Sequence, residues 1–216
     1  MKIYQSKVVE KLREFYEEDN LLNLEEMIYV KDYLSVLADK MYEGVILQKD
    51  FIFQEINNYH KDFLGKPIQE LKALNLTFED CQTAIANEYG FESWEIIPND
   101  IEYDDEFEIT VGFLLNGRLD FLKAAIEEKP DLIFRKSKFG HEATLLHYVA
   151  SNGVEFWRQI VPENLPEITK FLIEKGADKD SKMKVYRGEF SVLPLLESSA
   201  HPFAAGVADE LIEILK

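Results

Sequence analysis

Hydrophobic side chains recur at helical spacing through the first half of the chain, with charged side chains between them. Three such runs come first, over residues 8–16, 24–44 and 45–60. A glycine and a proline within residues 65–67 then interrupt the pattern, and the short run 68–74 follows. This spacing predicts a series of amphipathic helices in the first half, and no internal repeat is visible there.

The next helix is predicted by its ends as well as by its apolar face. The hydroxyl of Thr77 can accept a hydrogen bond from the backbone N–H of Asp80, as expected at a helix start. Gly90 can adopt the left-handed conformation that often ends a helix. Residues 92–108 then hold eight carboxylates and no Lys or Arg. We interpret them as an exposed linker that closes a helical N-terminal region, residues 1–107.

The second half, residues 108–216, contains a pattern that occurs three times. Short apolar segments lie at 108–117, 144–153 and 191–200, and each is followed by a second amphipathic run. Hydrophobic positions three and four residues apart place the apolar side chains of each run on one helix face. The sequence therefore predicts an all-α fold in which the second half is built from three helix pairs.

The middle segment carries a resemblance to a known family. Residues 144–153 read Thr-Leu-Leu-His-Tyr-Val-Ala-Ser-Asn-Gly, which is similar to the Thr-Pro-Leu-His-x-Ala signature that opens an ankyrin repeat. Together with residues 171–178 they resemble the ankyrin helix, turn, helix and loop in that order. Residues 77–94 resemble a segment that precedes the repeats in many bacterial ankyrin-repeat proteins. The resemblance covers about residues 76–216.

The chain also departs from the ankyrin pattern. Leu145 stands where the signature has proline, the first repeat lacks the signature, and an insertion separates Val154 from Asn164. Insertions in such stacks fall in loops on one face, which is often the binding face. The resemblance implies a short stack of about three degenerate ankyrin-type repeats that binds a partner protein through its concave face and loops.

Candidate partner-binding residues come from the resemblance and from the insertion. The resemblance implies variable, partner-facing positions at Ser137, Lys138, Phe139, Ser151, Asn152, Tyr186 and Arg187. We add Trp157 and Arg158 because Trp and Arg are enriched at interface hot spots, and His141 because it lies in a loop. If Trp157 and Arg158 bind a partner, replacing both with Ala should leave thermal stability nearly unchanged. In the competing interpretation, Trp157 folds back over the long connection.

Few residues point to catalysis. His147 lies in the repeat signature, so we expect a structural hydrogen bond from it, and His60 and His201 have no companions at metal-ligand spacing. Cys81 follows Asp80 and adjoins no Lys or Arg, so we expect a packed small residue rather than a nucleophile. Gly-rich phosphate-binding loops are absent from the sequence. We therefore expect no enzyme activity, no cofactor and no metal site.

Charge narrows the choice of partner. The chain has 41 Asp and Glu against 24 Lys and Arg, a formal net charge of −17. A field of that sign repels nucleic acid and anionic lipid headgroups, and it steers basic proteins toward the surface. No apolar stretch is long enough to span a membrane, and the first residues lack a secretory apolar core. We expect a soluble, cytoplasmic protein with a protein partner and an undetermined oligomeric state. Two interpretations of the acidity stay open: it keeps the protein soluble, or it steers a basic partner.

Two functions of other classes stay open at this point. The first is an acidic inhibitor or immunity-type protein that neutralises a basic toxin or nuclease, which the net charge of −17 would suit. The second is an uncharacterised enzyme activity in residues 1–75, where no motif indicates a role.

Overall fold

The computed structural model of the protein describes residues 2–17 and 28–216. That part of the chain is mostly helical, which confirms the helical class, and it also contains two small two-stranded sheets that the sequence patterns did not predict. The chain divides into two compact units, one of residues 7–103 and one of residues 1–6 with 104–216. The early part of the predicted run 24–44 lies outside the described residues.

The unit of residues 7–103 is built from helices around an apolar core. Its helices are α1 (Lys7–Glu17), α2 (Val30–Ile46), α3 (Asp50–Tyr59), α4 (Ile68–Ala73) and α5 (Phe78–Glu88). Helices α2 and α3 both pack against α5, and α1 and α4 pack against α3. The ends of α5 are as predicted: Thr77 Oγ1 accepts from Asp80 N at 3.3 Å, and Gly90 has a φ of 82°.

The second unit is also mostly helical. Its helices are α6 (Asp105–Leu115), α7 (Leu119–Glu128), α8 (Leu145–Tyr148), α9 (Leu165–Glu174), α10 (Val192–Ser198), α11 (Ala200–Ala205) and α12 (Ala208–Leu215). Short 3₁₀ helices cover Pro130–Ile133 and Phe156–Arg158. Helix α6 packs against α7 and α8, α9 packs against α8 and α12, and α10 packs against α12. Helix α11 lies between α10 and α12 in the chain, where the sequence pattern predicted no separate helix.

The predicted linker over residues 92–108 is wrong at its end, because α6 begins inside it. Asp104 Oδ1 accepts from Phe107 N at 3.1 Å and so caps the helix. Arg135 Nη1 lies 3.3 Å from Asp104 Oδ1 and 2.9 Å from Glu106 Oε2. Carboxylates are stabilised at a helix N-terminus by the helix dipole, so part of this acidic run forms a capped first turn rather than a solvated linker.

Two short antiparallel sheets complete the second unit. Strand β1 (Ile3–Tyr4) pairs with β2 (Val161–Pro162), and strand β3 (Met183–Val185) pairs with β4 (Gly188–Phe190). In the β3–β4 hairpin Val185 is opposite Gly188, so only two residues connect the strands. Among the described residues, no helix has both the length and the apolar composition that crossing a membrane requires.

Candidate partner-binding surface

The turn of the β3–β4 hairpin holds two bulky residues in the left-handed conformation. Tyr186 has a φ of 53° and Arg187 a φ of 61°. Two-residue hairpin turns of this kind are usually formed by Asn-Gly, because a left-handed residue with a bulky side chain costs about 1–2 kcal/mol. Residues held in such conformations concentrate at functional sites. This turn is therefore a candidate contact point.

The hairpin turn is linked to α10 through Asn152, which follows α8 in the chain. Tyr186 Oη donates to Asn152 Oδ1 at 2.6 Å. Asn152 Nδ2 in turn donates to the Leu195 carbonyl oxygen at 3.1 Å and to Ser198 Oγ at 2.9 Å. The Tyr186 side chain is 64% exposed in spite of its bond. The structure thus brings together two predicted site residues, Tyr186 and Asn152, and leaves the tyrosine ring accessible.

The loop before α8 lies beside the hairpin. Its two ends are joined by Ser137 N, which donates to the Ala143 carbonyl oxygen at 2.7 Å, and Lys184 N of β3 donates to the His141 carbonyl oxygen at 2.8 Å. We call residues 136–143 the first finger and residues 182–190 the second finger. The backbone hydrogen bond from Lys184 places the two fingers side by side.

The two fingers are basic in an otherwise acidic chain. They contain five basic and two acidic residues, a formal charge of +3 within a chain of −17, which leaves −20 for the rest. Glu142 pairs with Lys184 and with Lys136, the latter at 3.4 Å. The hydrogen bond from Lys184 is the main reason that the pKa of Glu142 lies below its ordinary value. Lys138 and Arg187 are exposed and form no ion pair within the described part of the chain.

The ten predicted partner-binding residues divide by exposure. Lys138, Tyr186 and Arg187 are exposed and Asn152 is half-buried. Six are at most 9% exposed: Ser137, Phe139, His141, Ser151, Trp157 and Arg158. In this conformation those six present almost no surface to a partner. The expectation that these six face a partner is therefore wrong for this conformation, and in the first finger the reason is that alternate side chains, those of Ser137, Phe139 and His141, lie in the interior.

Arg158 lies at the centre of a buried polar cluster. Its Nη1 donates to Glu108 Oε2 at 2.5 Å and to Glu155 Oε1 at 3.2 Å, and Ser137 Oγ donates to Glu108 Oε1 at 3.1 Å. The guanidinium carbon also lies 4.8 Å from the centre of the Trp157 ring. Both predicted hot-spot residues of the insertion are therefore engaged inside the unit, and the interpretation in which Trp157 covers the connection agrees with its burial.

His141 joins the first finger to this cluster. Its Nδ1 accepts from Ala143 N at 3.0 Å, so the proton sits on Nε2, which lies 3.4 Å from Glu155 Oε1. Tyr148 Oη donates to the same oxygen at 3.4 Å. Burial raises the pKa of Glu155, but Arg158 and His141 outweigh it and the pKa is lowered. The cluster thus contains an ionised carboxylate at neutral pH, and its contact with His141 holds the first finger in place.

His147 makes the structural hydrogen bonds that its place in the sequence predicted. Its Nδ1 accepts from Thr144 N at 3.1 Å and from Thr144 Oγ1 at 2.8 Å. Its Nε2 donates to the Ser181 carbonyl oxygen at 3.0 Å. Burial lowers the pKa of His147 to about 4, so the ring is neutral at pH 7. The imidazole links α8 to the chain just before the second finger.

The unit of residues 7–103 has a buried acidic group of its own. Tyr16 Oη donates to Glu55 Oε2 at 2.7 Å. Burial raises the pKa of Glu55 to about 8, although hydrogen bonds with Tyr16 and Glu88 partly offset that effect. Cys81 is buried, as predicted, and burial together with Asp80 raises its pKa to about 12. The thiol is therefore protonated at neutral pH.

The two remaining histidines lie in ordinary packing contacts. His60 Nε2 is 3.5 Å from Asp80 Oδ1, and its ring stacks on Phe63 with centroids 4.1 Å apart. The His201 ring lies 6.0 Å from that of Tyr4. Within the described ranges, no group of three or more His, Cys, Asp or Glu side chains is placed to hold a metal ion.

Sequence reasoning missed the residues that give the fingers their charge and their support. Lys136, Glu142 and Lys184 were not selected, nor were the buried carboxylates Glu108 and Glu155. A local count of charges along the chain would have indicated the fingers, since basic residues cluster there. The buried carboxylates left no comparable signal, because nothing in an acidic sequence marks which carboxylates fold inward.

No protein-family model, curated protein or solved structure matches the chain. The candidate surface is therefore defined by geometry and charge within the second unit. Its parts are the left-handed turn at Tyr186 and Arg187, the supporting bond to Asn152, and the exposed cation of Lys138 on the neighbouring finger.

Proposed function

We propose that the protein is a protein–protein interaction module, and that its second unit is a short stack of about three degenerate ankyrin-type repeats. The packing of α6 on α7, α8 on α9 and α10 on α12 supports three pairs. Neighbouring pairs meet through α6 with α8 and through α9 with α12. Repeat proteins bury a continuous core in this way, each unit covering the face of the next.

The hydrogen bonds around His147 also support the ankyrin-type assignment. The Thr144 and His147 side chains of the signature bond to each other and close the first turn of α8. Each finger precedes the first helix of a pair, with the first finger before α8 and the second before α10. The proposed binding surface lies where such stacks contact their partners, at the loops on one face.

The observation that carries the proposal is the conformation of Tyr186 and Arg187. Both residues have positive φ, and the tyrosine is 64% exposed. Tyr and Arg are the residue types that most often form binding hot spots. An Asn-Gly turn would be more stable at this place, so the two side chains are retained against a conformational cost. Contact with a partner accounts for that cost.

The experiment replaces the turn with the residues that its backbone favours. We expect the variant Tyr186→Asn with Arg187→Gly to be more stable than the wild type by about 1–2 kcal/mol. We expect it to lose the partner that wild-type protein captures from native lysate, with retained proteins quantified by mass spectrometry. The stability gain excludes unfolding as the reason for lost capture.

A matched control removes another exposed aromatic–arginine pair. Arg118 stacks on Phe121 with the guanidinium carbon 4.2 Å from the ring centre, and the Phe121 side chain is 44% exposed. The variant Phe121→Asn with Arg118→Gly should capture the same proteins as the wild type. Equal capture by the wild type and the turn variant would show that the hairpin turn is not the binding surface.

A further inference from the structure

We propose that the two fingers bind an acidic segment of the partner protein, an inference that rests on the proposed function and names the chemistry of its ligand. The net charge of the chain had favoured a basic partner instead. Contact energy depends on the charges within about one Debye length, roughly 8 Å at physiological ionic strength. Within that distance of a segment lying across the fingers, the local formal charge of +3 counts for more than the total of −17.

The carboxylates of the fingers are already engaged with finger lysines. Glu142 pairs with Lys136 and Lys184. Glu189 lies directly opposite Lys184 in the β3–β4 register, and its charge contributes to raising the pKa of Lys184. These contacts use both acidic residues of the fingers to balance two of the five cations. The positive charge of the fingers that is not balanced by a finger carboxylate is consequently supplied by the other three.

Three cations of the fingers remain for an external ligand. Lys138, Lys182 and Arg187 are exposed, and none of them pairs with a carboxylate in the described part of the chain. Arg187 presents a planar fork of donors that matches a carboxylate in two parallel hydrogen bonds. The neighbouring Tyr186 ring offers apolar area beside that fork. Carboxylates spaced along an extended segment would meet these cations.

The charge of the remainder of the chain selects a short protein segment over a nucleic acid. Outside the fingers the formal charge is −20, the difference between −17 and +3. A long polyanion would extend beyond the fingers and meet that repulsion at each phosphate. A stretch of a few Asp or Glu residues covers the fingers alone and so avoids the repulsion from the rest of the chain. The acidic remainder would also repel segments that are bound in other registers.

The test follows the backbone amide signals of ¹⁵N-labelled full-length protein during titration with a heptaglutamate peptide. We expect saturable shifts confined to residues 136–143 and 182–190, weakening as NaCl is raised. Heptalysine should shift signals elsewhere. In the variant Lys138→Glu with Arg187→Glu, heptaglutamate should bind at least about fivefold more weakly, because two attractive exposed contacts become repulsive.

A control with the same change in net charge separates the local field from the total field. The variant Lys7→Glu with Lys61→Glu alters two exposed lysines outside the fingers and should bind heptaglutamate as the wild type does. Heptaglutamate shifts outside the fingers, or equal weakening in both variants, would overturn the inference. Tighter binding of a seven-nucleotide single-stranded DNA at the same amides would also overturn it, in favour of a nucleic-acid ligand.

The outcome can be separated from failure of the proposed function. If the Tyr186→Asn, Arg187→Gly variant loses the lysate partner while Lys138→Glu with Arg187→Glu still captures it, the fingers bind a protein that is not acidic there. If neither variant loses the partner, the proposed binding surface itself is wrong. If both lose it and heptaglutamate competes with the captured protein, both statements hold.

Discussion

Replacing Arg158 with Ala removes the only cation that the buried cluster of Glu108, Glu155 and Tyr148 shows among the described residues. Arg158 is 5% exposed, and Glu108 and Glu155 are 6% and 0% exposed. Its Nη1 lies 2.5 Å from Glu108 Oε2 and 3.2 Å from Glu155 Oε1. Without the guanidinium, two carboxylates would remain close together in a site that excludes water.

The expected loss of stability follows from the burial of Arg158 and its carboxylate partners rather than from their Coulomb attraction. Removing one partner of a buried ion pair costs about 3–5 kcal/mol, because the remaining charge is left without compensation. The guanidinium also lies over the Trp157 ring, with its carbon 4.8 Å from the ring centre, and this cation–π contact is lost as well. For a chain of 216 residues, such a loss lowers Tm by roughly 6–20 °C. This reverses our sequence-based expectation that substituting Trp157 and Arg158 would leave stability nearly unchanged.

The assay is thermal unfolding by circular dichroism at about pH 5 and about pH 8. In wild type burial alone would raise the pKa of Glu155, but Arg158 and His141 hold it below the unfolded value, so its contribution is present above the unfolded value and is lost as pH falls. Burial already raises the pKa of Glu108 in wild type, and that effect is common to the two proteins. In the Ala variant burial is no longer offset by Arg158, so the pKa of Glu108 rises further and that of Glu155 rises above its unfolded value. The variant is then most stable at low pH and loses stability as pH rises. The difference in Tm between the two proteins should therefore be larger at about pH 8.

Two further variants make the result specific. Arg158→Lys keeps the charge but not the fork of donors, so its Tm should fall between those of wild type and Arg158→Ala. Arg118, whose side chain is 52% exposed, serves as the matched arginine, and its change to Ala should alter stability by less than about 0.5 kcal/mol. A Tm for Arg158→Ala equal to that of Arg118→Ala, or a loss independent of pH, would refute the reasoning.

Two other positions give predictions of opposite sign. Burial raises the pKa of Glu55 to about 8. The contribution of Glu55 to stability is therefore full below its unfolded pKa and is lost as pH rises through about 8. Glu55→Gln should accordingly stabilise the protein in thermal melts at about pH 9 and not at about pH 5. Equal destabilisation by Glu55→Gln at the two pH values would contradict this prediction. Gly153 has a φ of +76°, and an added Cβ would lie 3.2 Å from Val185 Cγ1, so Gly153→Ala should cost about 1–2 kcal/mol in urea unfolding; an unchanged midpoint would contradict the strain.

The helices could be predicted from the sequence because their signals are local. Capping by Thr77 involves a partner three residues away in the chain, and the hydrogen bond between His147 and Thr144 also joins residues three apart. The apolar faces of α7, α9 and α12 follow from spacing within each helix. The start of α6 was missed because its cap, Asp104, lies inside a run of carboxylates, and only the distant Arg135 shows which of them belong to the helix.

The composition of the proposed binding surface could not be predicted because it depends on contacts between distant segments. Arg158 and Glu108 are 50 residues apart in the chain, and no local pattern indicates that they meet. Both the interior and the surface of this unit contain Arg and Ser, so residue type alone did not separate buried Arg158 from exposed Arg187. Hydrogen-bonding partners made that distinction, and they follow only from the fold.

The buried cluster and the exposed fingers are two parts of one arrangement. His141 contacts Glu155 through its side chain and accepts from Lys184 N through its carbonyl oxygen. The position of the second finger relative to the first therefore depends on Arg158, which holds Glu155. Binding surfaces keep their geometry when the residues behind them are fixed by packing and hydrogen bonds. Arg158→Ala should then weaken partner capture even under conditions where the variant is fully folded, although Arg158 itself presents no surface to the partner.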